Sequence, residues 1–266
     1  MFRSALLSTF LLLPIAATAE QTTADIVSAE ILPGWQMQNG TRMAALHLRL
    51  APEWKTYWRS PGEAGIPPEF DWSGSKNIRS VRFHWPRPSV FDTNGMQTIG
   101  YRKDLVLPVE VMPVDPSKPI LLRAEVDLGV CRDICVPAEL SVAADLQGSG
   151  AEDALIDAAL RDRPATAAEA GVTGVNCRVD PIADGLRVTT RIAIPPQGGE
   201  ETVVLEPSDP RIWTSEAETL REGDHLTSTV DMVAPSGAPF ALNRSALTLT
   251  VLGHDQAVEI SGCTGG

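Results

Sequence analysis

The sequence predicts an all-β protein of two sandwich domains joined by a short helical linker. Three observations carry this reading. Segments of alternating apolar and polar residues recur from Ile26 to Leu146 with no helical pattern between them. Turn-forming residues punctuate them, among the 21 Gly and 21 Pro of the 266-residue chain. One Ala-, Asp- and Glu-rich stretch then interrupts the pattern, and strand-like segments resume beyond it.

Residues 1–19 read as a secretory signal. Arg3 supplies the positive start, Ala5 to Ala17 form an apolar stretch, and Ala17-Thr18-Ala19 supplies a small-residue cleavage site. The stretch is too short and poorly flanked for a membrane span. The mature protein is therefore expected to start near Glu20, not embedded in a membrane, in an oxidising compartment such as a Gram-negative periplasm.

The first domain is expected over 20–147. Its strands are Ile26–Ile31, Met43–Leu50, Ile78–Trp85, Leu105–Met112, Ile120–Leu128 and Glu139–Leu146. Asn39-Gly40 marks the first hairpin. In the second strand Leu46, Leu48 and Leu50 are expected to face the core, with His47 and Arg49 facing out. The linker is placed at 148–171, where Ala154, Leu155, Ala158 and Leu160 have near-helical spacing and Pro164 stops the helix. The second, smaller domain is expected over 172–266. Its strands are Gly185–Ile194, Thr202–Glu206, His225–Val233, Ala246–Leu252 and Ala257–Ser261.

Charge narrows the partners. The chain carries 22 Lys and Arg against 34 Asp and Glu, a formal charge of −12. Loss of Arg3 with the signal makes it more negative. No basic footprint for nucleic acid exists.

Four cysteines, Cys131, Cys135, Cys177 and Cys263, read in an oxidising compartment as two disulfides with three possible connectivities. A Cys177–Cys263 bond would join the ends of the second domain. Closing so long a loop stabilises by roughly 4.6 kcal/mol in the chain-entropy estimate, which suits a structural staple. A Cys131–Cys135 bond closes a very short loop, worth only about 2 kcal/mol in the same estimate. Such a small ring at a hairpin tip is open to attack by a partner thiolate. Arg132 favours a thiolate at Cys131 and Asp133 opposes it. Spacing alone leaves a redox pair, a structural bond and metal binding open. The histidines His47, His84, His225 and His254 are scattered, read as surface residues, and none has metal spacing from a cysteine. The six tryptophans, four of them within Trp54–Trp85, read as core or rim residues, with a carbohydrate platform as the sharper alternative.

Three segments together resemble a known family. They are Trp54-Lys55-Thr56-Tyr57-Trp58-Arg59-Ser60-Pro61-Gly62-Glu63-Ala64-Gly65, then Trp85-Pro86-Arg87-Pro88 through Phe91 to Gly100-Tyr101 and Leu107-Pro108-Val109, and then Gly129 to Glu139 around the cysteine pair. In this order they resemble the N-terminal periplasmic region of the DsbD/ScsB thiol:disulfide interchange proteins, over most of residues 24–146. The second domain resembles the longer ScsB-like branch only in size and β-character.

The resemblance implies an immunoglobulin-like sandwich with Cys131 and Cys135 as a redox pair, working without a cofactor as a protein-disulfide reductase component. It implies a thioredoxin-like or membrane-embedded electron donor and oxidised periplasmic proteins as acceptors. Cys135 would form the mixed disulfide. The loop of Phe91, Asp92, Thr93 and Asn94 falls where the family keeps a cap, with Phe91 as the candidate ring over the sulfurs or, equally, an ordinary core residue. The three-residue cysteine spacing follows the ScsB-like branch and departs from DsbD itself. The family's membrane and C-terminal thioredoxin-like domains are not found in the sequence, so donor and acceptor are expected to be separate chains.

Two other readings compete. A Cys-x3-Cys-x-Pro run also resembles the copper segment of Sco-type proteins, and soft thiolates suit Cu(I). The resemblance to ScsB likewise carries an association with copper tolerance. The Sco fold needs a helix after the motif, which this sequence lacks. An immunoglobulin-like adaptor with two structural disulfides is the third reading.

Overall fold

A computed structural model describes residues 23–93 and 95–265. The expected signal, 1–19, and Asn94 of the expected cap lie outside the described residues.

The first sandwich starts after a helical turn, α1 (Thr23–Ile26). It contains β1 (Val27–Gln36), β2 (Arg42–Leu50), β3 (Lys55–Tyr57), β4 (Glu69–Asp71), β5 (Ile78–Phe83), β6 (Ser89–Thr93), β7 (Met96–Arg102), β8 (Asp104–Pro113), β9 (Ile120–Cys131) and β10 (Cys135–Leu146). One sheet has the order β1-β2-β8-β5 and the other β10-β9-β3-β7-β6. The short strands β3 and β4 pair with successive stretches of β9, at Cys131–Val130 and at Asp127–Glu125. Alternation places Leu46, Leu48, Leu107, Val126, Leu128, Val130 and Tyr101 in the core between the sheets, with Trp54, Trp58 and Trp85.

Strand β2 is buried on both faces over most of its length. The second face is covered by α2 (Ala154–Arg161), whose Ile156 packs on Met43 and Ala45 beside Val106 and Leu160. This corrects one expectation. His47, expected at the surface, is 5% exposed, because it shares the covered face with Met43 and Ala45 and lies between Glu30 and Asp104. The buried side of the helix is Ile156 and Ala159, whereas Leu155 is 48% exposed. Asp153 caps the helix by accepting from the amides of Leu155 and Ile156. The chain before it is tied to the first sandwich, the Gln36 amide donating to the Ser149 carbonyl and Arg42 to that of Gly148.

The second sandwich comprises β11 (Ala165–Thr166), β12 (Gly174–Pro181), β13 (Leu186–Ala193), β14 (Thr202–Glu206), β15 (Trp213–Thr214), β16 (Glu218–Glu222), β17 (His225–Val233), β18 (Thr248–Leu252), β19 (Ala257–Ser261) and β20 (Thr264–Gly265). Its sheets run β11-β19-β18-β14 and β15-β17-β13-β12-β20, with β16 also on β17. Val188, Ile192, Leu226, Val230, Leu249 and Val251 fill the space between them.

The sandwiches meet through a continuous interface. Val204, Leu252 and Ala257 of the second join the apolar core cluster of the first. Arg59 makes a bidentate contact to Glu206, at 2.8 and 2.9 Å, and reaches Glu259 at 2.7 Å. Burial disfavours the Arg59 cation, but hydrogen bonds and charge from Glu206 and Glu259 outweigh it and raise its pKa above the usual arginine value. Arg87 donates to the carbonyls of His254 and Asp255.

Candidate functional site

Strands β9 and β10 form the longest hairpin of the first sandwich, and its tip carries Cys131 and Cys135. The two residues are directly opposite in register, with Cα atoms 4.1 Å apart, and are joined by a disulfide. The apolar residues Val126, Leu128 and Val130 point into the core, so Gly129 and Cys131 lie on the other face of the sheet. That face is covered at this end. Cys131 is 2% exposed, while Cys135 is exposed and Ile134 beside it is 70% exposed.

Strand β3 brings two side chains to the same face. Lys55 is paired in register with Cys131, and Tyr57 follows two positions on. The Tyr57 hydroxyl lies 2.8 Å from Cys131 Sγ and 3.3 Å from Cys135 Sγ. Burial raises the Tyr57 phenol above its usual pKa, so it stays a protonated donor. The ring fits because Gly129 has no side chain: a Cβ there would stand 3.1 Å from Tyr57 Cε2 and 2.9 Å from Ile66 Cβ. The Thr56 hydroxyl donates to the Gly129 carbonyl and pins β3 to β9.

The β6–β7 hairpin holds Phe91 opposite Thr98, again on this face. The half-buried Phe91 ring is approached by two cations, Lys55 Nζ at 5.2 Å and Arg102 Cζ at 4.6 Å from its centre. The Tyr57 hydroxyl lies against the sulfurs, and Phe91 is linked to the same face through Lys55. Lys55 Nζ also donates to Thr98 Oγ1 at 2.7 Å. Burial, and then the charge of Arg102, lower the pKa of the Lys55 ammonium. Asp92 is exposed and accepts the Gly95 amide. Arg132 and Asp133 pair with one another at 2.9 Å, and Arg132 stacks on Trp54.

Cys177, fully buried in β12, is bonded to Cys263 just before β20. The histidines stand apart from both bonds. His47 lies between Glu30 and Asp104, His84 contacts Glu110 and Arg163, and His254 contacts Asp255. Among the described residues no three His, Cys, Asp or Glu side chains form a metal-sized cluster. A cleft of about 360 Å³ between the sandwiches, bordered by Arg59, Pro61, Gln97, Trp213 and Glu216, holds neither redox-candidate cysteine.

Tyr57 and Lys55 were not separable from their motif by sequence reasoning. The available signal is their alternation on the segment Trp54–Trp58: positions 55 and 57 share a face if that segment is a strand.

The fold and the hairpin tip define a class: a two-sandwich β-protein carrying a disulfide between one exposed and one buried cysteine. Residues 25–146 match the family described as "Thiol:disulfide interchange protein DsbD, N-terminal". That segment belongs to the DsbD N-terminal family of thiol:disulfide interchange proteins. The crystal structure of the N-terminal periplasmic domain of ScsB from Proteus mirabilis is similar over both sandwiches. It is 27% identical, with a TM-score of 0.66, and the match covers 90% of this chain and 92% of that one. No curated protein matches the chain. Among the described residues no helix is long and apolar enough to cross a membrane.

Proposed function

We propose that this chain is an exported, periplasmic thiol:disulfide interchange protein. It passes electron pairs from a thioredoxin-like or membrane donor to oxidised periplasmic proteins through Cys131 and Cys135. The observation that carries this reading is the asymmetry of the bond: Cys135 is an exposed residue, while Cys131 is buried with its sulfur nearer the Tyr57 hydroxyl.

The chemistry follows from that asymmetry. A donor thiolate attacks Cys135 Sγ in line with the existing bond. The new intermolecular S–S bond forms as the Cys131–Cys135 bond breaks, and the electron pair leaves on Cys131 Sγ. Tyr57 Oη–H donates to that sulfur as its charge develops. A second donor thiolate then displaces Cys135, leaving the donor oxidised and the pair reduced by two electrons. Delivery runs the same steps in reverse on a substrate disulfide. Phe91 and Asp92, on the β6–β7 hairpin that Lys55 contacts through Phe91 and Thr98, would serve as a cap that selects partners. Cys177–Cys263 is a staple in this reading, and no cofactor is needed.

Copper handling gains no third ligand beside the pair among the described residues. The test is a titration of the mature protein in graded dithiol buffers with thiol-specific mass tagging. Opening of Cys131–Cys135 in the range of thioredoxin-like proteins, with Cys177–Cys263 closed, is expected. Both bonds opening together, only under strongly reducing conditions, refutes the proposal and leaves the adaptor reading.

A further inference from the structure

Lys55 is a buried cation without a counter-charge. Its ammonium donates to the neutral Thr98 hydroxyl and faces the Phe91 ring. Among the described residues no carboxylate pairs with it, and the nearby charge that acts on it, Arg102, has its own sign. A buried, unpaired ammonium is costly, and folds retain such groups where they act on something. The residue opposite Lys55 in the adjacent strand, on the same face, is Cys131. Cβ atoms of such cross-strand pairs lie about 4.5–5.5 Å apart. In the oxidised protein Cys131 is neutral. On reduction it can supply a negative charge on the face that Lys55 shares.

We propose that Lys55 is a positioning residue for exchange, its ammonium being the counter-ion of the Cys131 thiolate that forms when the disulfide opens. The inference rests on the interchange reading above. In the exchange step the electron pair of the broken S–S bond stays on Cys131 Sγ, and no proton moves. Tyr57 gives that sulfur a hydrogen bond, and Lys55 gives it a field. The other charged groups around this row are already engaged. Arg102 lies over Phe91, Arg132 and Asp133 neutralise each other, and Asp92 is turned into its own hairpin tip. Lys55 also holds the β6–β7 hairpin through Thr98 and Phe91. The thiolate and the hairpin therefore share one cation, which couples the redox state to the cap.

The test compares the wild type with Lys55→Met, Lys55→Arg and Thr98→Val. Readouts are redox equilibrium against a dithiol buffer and the pH dependence of Cys131 alkylation in the reduced protein. Lys55→Met is expected to raise the Cys131 thiol pKa and to lower the equilibrium constant for reduction about tenfold, equivalent to about 30 mV more reducing. Lys55→Arg is expected to keep most of the wild-type value, and Lys55→Met to leave the oxidised protein as heat-stable as wild type or more so. Thr98→Val keeps the charge and removes a competitor for it, so it is expected to shift the equilibrium the other way. Should Lys55→Met fail to fold, that opposite shift decides the matter. Unchanged equilibrium and alkylation profiles in the folded variants overturn the role of Lys55 while the wild-type pair still exchanges. A wild-type pair that does not exchange overturns both readings.

Discussion

The Tyr57 hydroxyl sits 2.8 Å from the sulfur of Cys131, the buried residue of a disulfide whose other cysteine is exposed. A protonated phenol in this position stabilises a thiolate far more than a neutral disulfide, since hydrogen bonds to charged groups contribute about 1.5–3 kcal/mol. Tyr57→Phe is therefore expected to slow reduction of the pair by a small dithiol by roughly tenfold or more. Stopped-flow kinetics at fixed pH measure it. The stability of the oxidised protein is expected to change by less than about 1 kcal/mol, and a rate equal to wild type would remove Tyr57 from the mechanism.

The same asymmetry assigns roles to the two cysteines. With Cys131→Ser, the exposed Cys135 thiol is left without its resolving partner and is expected to trap a mixed disulfide with a dithiol donor. Cys135→Ser leaves a buried thiol and is expected to trap little. Non-reducing gels with a purified thioredoxin-like donor distinguish the two. Equal trapping by both variants contradicts attack at Cys135.

Arg59 belongs to the segment that follows Tyr57 and binds Glu206 and Glu259 of the second sandwich. Removal of the guanidinium leaves two carboxylates facing a half-buried gap. Breaking a fully buried pair costs about 3–5 kcal/mol. Solvent access at this interface reduces that, so Arg59→Met is expected to lose about 1–3 kcal/mol. Urea unfolding monitored by tryptophan fluorescence tests this. A double variant with Glu206→Gln is expected to lose less than the sum of the single losses.

His84 makes stability pH-dependent. Burial, only partly offset by the hydrogen bond to Glu110, lowers its pKa in the folded protein, and the charge of Arg163 lowers it further. The unfolded chain, with a histidine pKa of about 6.5, therefore binds a proton more readily than the folded one. This contribution is complete above about pH 6.5 and declines as the pH falls through that value toward the folded-state pKa. Urea midpoints measured from pH 7.5 to 5.5 are expected to fall, and His84→Gln is expected to fall less steeply.

Much of the fold was legible in the amino-acid order because local physics writes it there. The alternation in Met43–Leu50 and Ile120–Leu128, the Asn39-Gly40 turn, and the Ala154-to-Pro164 stretch each state their element without outside help. The three-residue strand β3 and the hairpin β6–β7 were not legible. Lys55–Tyr57 is too short to show a period, and no strand is expected over Ser89–Arg102; both become strands by pairing, β3 with β9 and β7, and β6 with β7. His47 was misread for a related reason. Period two says which face a residue occupies, while its burial depends on the α2 side of the sheet being covered by residues more than a hundred positions away.

By itself, then, the sequence determined an all-β chain, the hairpin that brings Cys131 opposite Cys135, and the motifs of the DsbD N-terminal family. Those depend on spacing and on side-chain type, which are properties of short segments. The tertiary structure decided which cysteine is exposed, that the Tyr57 hydroxyl touches the sulfurs, and that Lys55 is buried without an anion in register with Cys131. Burial and electrostatic environment arise from strands distant in the chain meeting on one face of a sheet. No local pattern encodes that meeting.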